Sequence, residues 1–217
     1  MLYKKALQEL MKKGKKPTIL VALILVWIVS IFSGLKILGS YANTPGEVGR
    51  NSTVWPRGSH IALPKDRRPT FVLFLHPKCS CSRASVGELD VLMARTNGKA
   101  HAYVVFVQPM GWTASEVKGQ LWKEAISIPG VIPILDREGQ EAQGFGVLTS
   151  GHLLAFDGEG RLAFTGGITA SRGHMGDNSG LQSLIQFVNT GQGLLKQSNV
   201  FGCSLFSSHK KLEKNDS

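Results

Sequence analysis

A chain of 217 residues, 42% hydrophobic and 18% charged, has room for one domain of ordinary size plus appendages, and this balance excludes a disordered polypeptide. The formal net charge of +10 suggests nucleic acid until it is located: six lysines and one glutamate lie within Met1 to Lys16 and supply half of it. No basic stripe interleaved with aromatics follows, so no nucleic-acid partner is expected.

The first predicted element is a membrane span. Thr18 to Leu35 reads TILVALILVWIVSIFSGL without a charge, roughly 27 Å of helix, and Lys36 can extend it by snorkelling. Pro17 sits in the first turn, where a helix tolerates it, and Trp27 lies mid-span. We assign 1–16 to a cytoplasmic basic segment and 17–38 to a single transmembrane helix. The lysines in front of the span, with no basic residue between Lys36 and Arg50, put the N-terminus inside and the remainder outside. A cleaved signal peptide competes with this reading, but the apolar run is long for one and its end offers a weak cleavage site. The expected location is the cell inner membrane, single-pass, with a periplasmic or extracytoplasmic domain.

Residues 39–69 are rich in Gly, Pro, Ser and Asn and read as a linker, its NST at Asn51 being a glycosylation pattern in a polar stretch. The pattern then becomes that of an α/β domain over 70–195. FVLFL (Phe71 to Leu75) and AYVVFV (Ala102 to Val107) are buried-strand runs flanking a helix-length segment, Ser82 to Arg95. Thr113 and Glu116 have capping-box spacing, with Val117, Leu121 and Ala125 along one helical face. VIPIL at Val131 follows, then LLAFD and RLAFTG joined by Gly158-Glu159-Gly160 as a hairpin. A last helix is capped by Asp177 to Ser179 and ended by Gly191. This order predicts a mixed sheet flanked by helices. Residues 196–217 read as a C-terminal tail, running through NVFGCSLF to a charged end, HKKLEKNDS, that is expected to be mobile.

The chemistry concentrates in LFLHPKCSCSRASVGEL, Leu73 to Leu89, where Cys79 and Cys81 sit between a buried strand and a helix start. Unpaired N–H groups and the helix dipole lower a thiol's pKa there, and Lys78 and Arg83 add positive charge. This segment resembles the thioredoxin superfamily, especially its membrane-tethered redoxins, which commonly read Cys-x-x-Cys-Arg-Ala before a Pro-Glu-Leu helix. Aligning Arg83-Ala84 and Glu88-Leu89 places Cys79 as the attacking cysteine and Ser82 in the resolving position, with Cys81 between. DREGQEAQGFGV (Asp136 to Val147), TSGH (Thr149 to His152) and GGITASRGHMGDNSG (Gly166 to Gly180) make the RedB-like family the nearest resemblance. It implies a thioredoxin-like fold with thiol-disulfide or electron-transfer chemistry, Cys79, Cys81 and Arg83 being the catalytic candidates. In that alignment Gly151 stands where the superfamily has the cis-proline that faces the active cysteines.

Three thiol pairings follow. Cys79 and Cys81 can cycle as a local disulfide, which the short spacing makes labile; Cys203 can resolve Cys79; or Cys203 is left over or pairs between molecules. The local pair ranks first. The alternative function is a copper-binding or metallochaperone module with His76, Cys79, Cys81 and His174 as ligands, His152 and Met175 nearby, thiolate and imidazole suiting copper. No cofactor is required by the redox reading. Its expected partner is an exported thiol or disulfide protein, or else a copper or cytochrome protein. A peroxidase reading is weaker, because His76-Pro77-Lys78-Cys79 replaces the Thr-x-x-Cys of peroxiredoxins.

Overall fold

The computed structural model describes residues 16–206 as two units, which divide at Ala42 and Asn43; the basic segment before Lys16 and the charged end after Phe206 lie outside the described residues. The first unit contains helix α1, Lys16–Asn43. Its stretch Thr18–Asn43 is long and apolar enough to cross a membrane, and none of that surface is buried within the protein. The helix runs past the expected end at 38 because no proline interrupts it before Pro45.

The second unit is built on β1 (Thr70–Leu75), α2 (Ser82–Thr96), β2 (His101–Gln108), α3 (Ala114–Val117), α4 (Gln120–Ile126), β3 (Val131–Arg137), α5 (Gln140–Gly144), β4 (His152–Phe156), β5 (Leu162–Gly167) and α6 (Ser179–Thr190). The sheet order is β3-β2-β1-β4-β5. β1, β2 and β3 run parallel, while β4 opposes β1 and β5 opposes β4. The expected α/β class, a mixed sheet flanked by helices, is what forms. β1 is buried along its whole length, which explains its unbroken apolar run. Alternate side chains face opposite layers: Phe71, Leu73 and Leu75 pack with Leu89, Leu92 and Leu184 from α2 and α6, and Val72 and Phe74 with Phe145, Val147 and Phe156.

Several boundaries differ from the sequence reading. The capping box of Thr113 and Glu116 is present, yet the helix it starts breaks at Lys118-Gly119 into α3 and α4, since Gly119 takes an extended conformation. The supposed linker 39–69 is partly structural. Trp55 enters the second core, edge-on to Phe145 and Phe156 at 5.3 and 5.0 Å, and its indole N–H donates to Ile61 O. Asn51 is spoken for by the fold: its amide donates to Gly146 O (2.9 Å) and its carbonyl accepts from the Thr165 hydroxyl (2.6 Å). The described part of the supposed tail is also packed. Ser198 N–H donates to Thr165 O beside β5, Val200 and Leu205 are buried, and Ser204 bridges antiparallel to Thr149. Four apolar residues, Val200, Phe201, Leu205 and Phe206, stand within seven positions here, and burying them is what holds the segment down.

Candidate functional site

β1 ends at Leu75 and the chain turns through His76-Pro77-Lys78-Cys79, with Cys79 N–H donating to His76 O (3.1 Å). Pro77 supplies the φ that such a turn needs at its second position. Cys81 is the residue before α2, and its carbonyl accepts from Ala84 and Ser85 N–H. Both cysteines are buried, at 6% and 8% exposure, so neither projects freely into solvent.

The third cysteine completes the site. The segment after Asn199 crosses to the loop before β4, where Ser150 N–H donates to Cys203 O (2.8 Å) and Leu205 N–H donates to Leu148 O (2.9 Å). This pairing sets Cys203 Sγ 2.9 Å from Cys79 Sγ, in a hydrogen bond between two free thiols. Once Cys79 ionises, only Cys203 has a hydrogen to give. Burial pushes the Cys79 thiol up, but hydrogen bonds from the Cys203 thiol and backbone, the Ser82 hydroxyl and the Cys81 backbone outweigh it and bring its pKa below the ordinary value. Cys203 is pushed up to about 12 by burial, by its hydrogen bond to Cys79 and by the charge there. Cys81 is raised as well, by burial first and then by the Cys79 charge. Of the three thiols, Cys79 is therefore the one that gives up its proton first.

The local Cys79–Cys81 pair, ranked first from the spacing, is also close: the Cys81 thiol lies within hydrogen-bond reach of the Cys79 side chain. Cys79 therefore faces two candidate partners, Cys81 along the turn and Cys203 from the far segment.

The cations expected beside the thiols are directed elsewhere. Arg83 pairs with Glu124 of α4 at 3.4 Å and is largely exposed, and Lys78 Nζ lies 4.1 Å from the centre of the Trp112 ring. Arg172 takes their place: its charge favours the ionised forms of Cys81 and Cys203, and its guanidinium donates to Gly202 O. Ser82, in the resolving position of the alignment, is buried and bonded to Ser150 Oγ (2.8 Å), which also accepts from His76 N–H. Sequence reasoning missed Arg172, Ser150 and Gly202; the apolar residues around Cys203 were the available signal.

His76, Cys79, Cys81 and His174 are not gathered as a ligand set. Among the described residues no group of three or more His, Cys, Asp or Glu side chains is arranged to hold a metal ion. His76 Nδ1 accepts from Lys78 N–H while its ring meets Trp112, and His174 is tied to Arg172 O. Met175 lies over Gly87, with Gly176 N–H donating to the buried Glu88 carboxylate. His152 is fully buried on the opposite face of the sheet from α2, in contact with Thr165 Oγ1 at 2.7 Å.

Gly151 immediately precedes β4, has φ +88° and gives its N–H to Phe74 O (2.8 Å). A proline has neither that φ nor that hydrogen, so the first rung of the β1–β4 ladder replaces the expected proline.

Comparison with solved structures places this architecture. A conserved protein of Geobacillus kaustophilus, itself uncharacterized, superposes with a TM-score of 0.56 at 16% identity, covering 77% of this chain and 95% of that one. A hypothetical protein of Sinorhizobium meliloti 1021 gives 0.53 at 17% identity, with 76% and 96% covered. A secreted Mycobacterium tuberculosis disulfide oxidoreductase matches more loosely, with a TM-score of 0.37 at 13% identity over 44% of this chain and 66% of that one. The fold is thioredoxin-like. No family model matches the chain, and no curated protein matches it in sequence. In the thioredoxin-like domain the Cys79 turn and the Thr149–Gly151 loop lie side by side at the ends of β1 and β4, joined by the Ser150 hydroxyl. The site chemistry rests on the chain's own thiols.

Proposed function

We propose that this chain is a membrane-anchored, exported thiol-disulfide exchange protein in which Cys79 is the nucleophile and Cys203 the resolving thiol. The observation that carries the reading is the 2.9 Å separation of their sulfurs, with the proton affinity of Cys79 lowered and that of Cys203 raised. The resemblance of CSCSRASVGEL to tethered, RedB-like redoxins supports the same class, and the apolar helix behind a lysine-rich start supports an anchor with its N-terminus in the cytoplasm and the domain outside.

In the forward step the Cys79 thiolate attacks one sulfur of a partner disulfide, forming a mixed disulfide and expelling the other partner sulfur as thiolate. That step erases the negative charge on Cys79. Both its Coulombic repulsion and its hydrogen bond hold the Cys203 proton in place, so Cys203 becomes more acidic at the stage when it must act. It gives up its proton to solvent, attacks Cys79 Sγ and releases the second partner thiolate. Two electrons pass from the cysteine pair to the partner; a dithiol donor returns the pair to its reduced form by the reverse exchange.

Mild oxidation of the full-length protein in detergent, followed by peptide mass mapping, tests this. A Cys79–Cys203 disulfide with Cys81 free is expected, and Cys203→Ser should accumulate mixed disulfides at Cys79. A Cys79–Cys81 bond would overturn the pairing, and absence of any disulfide would overturn the exchange reading.

A further inference from the structure

Gly202-Cys203-Ser204-Leu205 lies across the loop before β4 as a docked peptide lies on a strand edge. Ser150 N–H and Leu148 C=O bind Cys203 C=O and Leu205 N–H, the two rungs of one antiparallel bridge. Three further contacts fix its register. Gly202 packs so closely on Ser150 C=O that a Cβ would collide with it, Arg172 holds the Gly202 carbonyl, and Leu205 is buried in the second core while Ser204 faces out. The cysteine is thereby delivered to Cys79.

We propose that this segment is a tethered occupant of a peptide-docking strip, Leu148 to Ser150, whose external ligand is an extended cysteine-bearing polypeptide with glycine before the cysteine and an apolar residue two positions after it. This deepens the exchange reading and rests on it. Backbone pairing of this kind gives affinity along a strand edge, and pockets for alternate side chains give selectivity. The glycine requirement follows from the collision with Ser150 O, and the apolar requirement from the site Leu205 fills. Occupancy is exclusive, because both occupants need the same N–H and the same carbonyl. The partner must displace the segment to reach Cys79, and the segment's return brings the resolving thiol and removes the partner in one movement.

The test uses full-length protein in detergent carrying Cys203→Ser, so that attack by Cys79 is read without resolution. The probes are the peptides Val-Phe-Gly-Cys-Ser-Leu-Phe and Val-Phe-Ala-Cys-Ser-Leu-Phe, each with its cysteine as a mixed disulfide to thionitrobenzoate, and oxidised glutathione as the small disulfide. Attack forms a bond from Cys79 to the peptide sulfur, breaks the peptide-thionitrobenzoate bond and releases coloured thionitrobenzoate, so electrons balance within the step. A second protein adds Gly202→Ala, which pushes the tethered segment off the strip. The glycine peptide is expected to react about tenfold faster than the alanine peptide on the opened protein, and about tenfold faster there than on the closed one after normalisation to glutathione. Should Gly202→Ala fold poorly by near-ultraviolet circular dichroism, Leu205→Ala opens the same segment by removing its buried anchor. Equal peptide rates with normal glutathione exchange would overturn the strip and leave the exchange reading standing. No reaction with any of the three disulfides would sink both.

Discussion

Cys79 and Cys203 carry the same group with proton affinities shifted in opposite directions. Burial raises that of Cys203 first, and the hydrogen bond between the two thiols then adds to the rise at Cys203 while contributing, with other donors, to the fall at Cys79. Alkylation as a function of pH should show Cys79 labelled with a midpoint below that of an ordinary thiol, and Cys203 unlabelled across the neutral range. In Cys203→Ala the donor is gone, so the Cys79 midpoint should move upward; an unmoved midpoint would assign the low value to other donors. His152 offers a second residue-scale prediction. Burial lowers its pKa to about 4, below the unfolded value near 6.5. The unfolded chain then binds a proton at higher pH than the folded one, so stability falls as pH drops from about 6.5 to about 4 and levels off below. The loss amounts to roughly 3 kcal/mol. As pH drops from about 6.5 to about 4, the urea midpoint of the parent should fall more steeply than that of His152→Leu, which lacks this acid-sensitive component; equal slopes would remove the histidine's role.

At the scale of elements, the segments that read as accessories are those that complete the domain. Trp55 fills space between Phe145 and Phe156, and Trp55→Ala should cost about 3 kcal/mol, seen as a lowered melting temperature. Leu205→Ala should cost about 2–3 kcal/mol by the same measurement, while a change at exposed Ser204 should cost little. The sheet and α2 were legible because continuous apolar runs and helical spacing state burial locally: FVLFL and AYVVFV became β1 and β2. Residues 44–69 and 197–206 have no periodicity to read, since they set single residues against partners far along the chain, as Asn51 does with Gly146 and Leu205 with Leu148. The same limit applies at the site. Cys79 could be singled out from its place before a helix, whereas the nearness of Cys203 is a property of chain crossing, visible only as apolar residues in a supposed tail. Arg83 was misjudged because adjacency in sequence says nothing of direction, and Glu124 draws it away.

For the whole molecule, the proposed anchor predicts that the full chain stays in the membrane pellet after alkaline carbonate washing and keeps its N-terminal mass, whereas a version starting at Asn43 is soluble. Recovery of a shortened soluble chain from the parent would mean a cleaved leader instead. The distance in sequence between the two sulfurs adds a thermodynamic signature. Closing Cys79 to Cys203 ties a loop of 124 positions that takes in nearly the whole sheet, and a cross-link of that span restricts the unfolded chain by about 4–5 kcal/mol. A ring between Cys79 and Cys81 would restrict it hardly at all. Oxidation should therefore act as a hoop around the domain, raising its melting temperature by many degrees and making the redox state of the protein readable from a calorimeter alone.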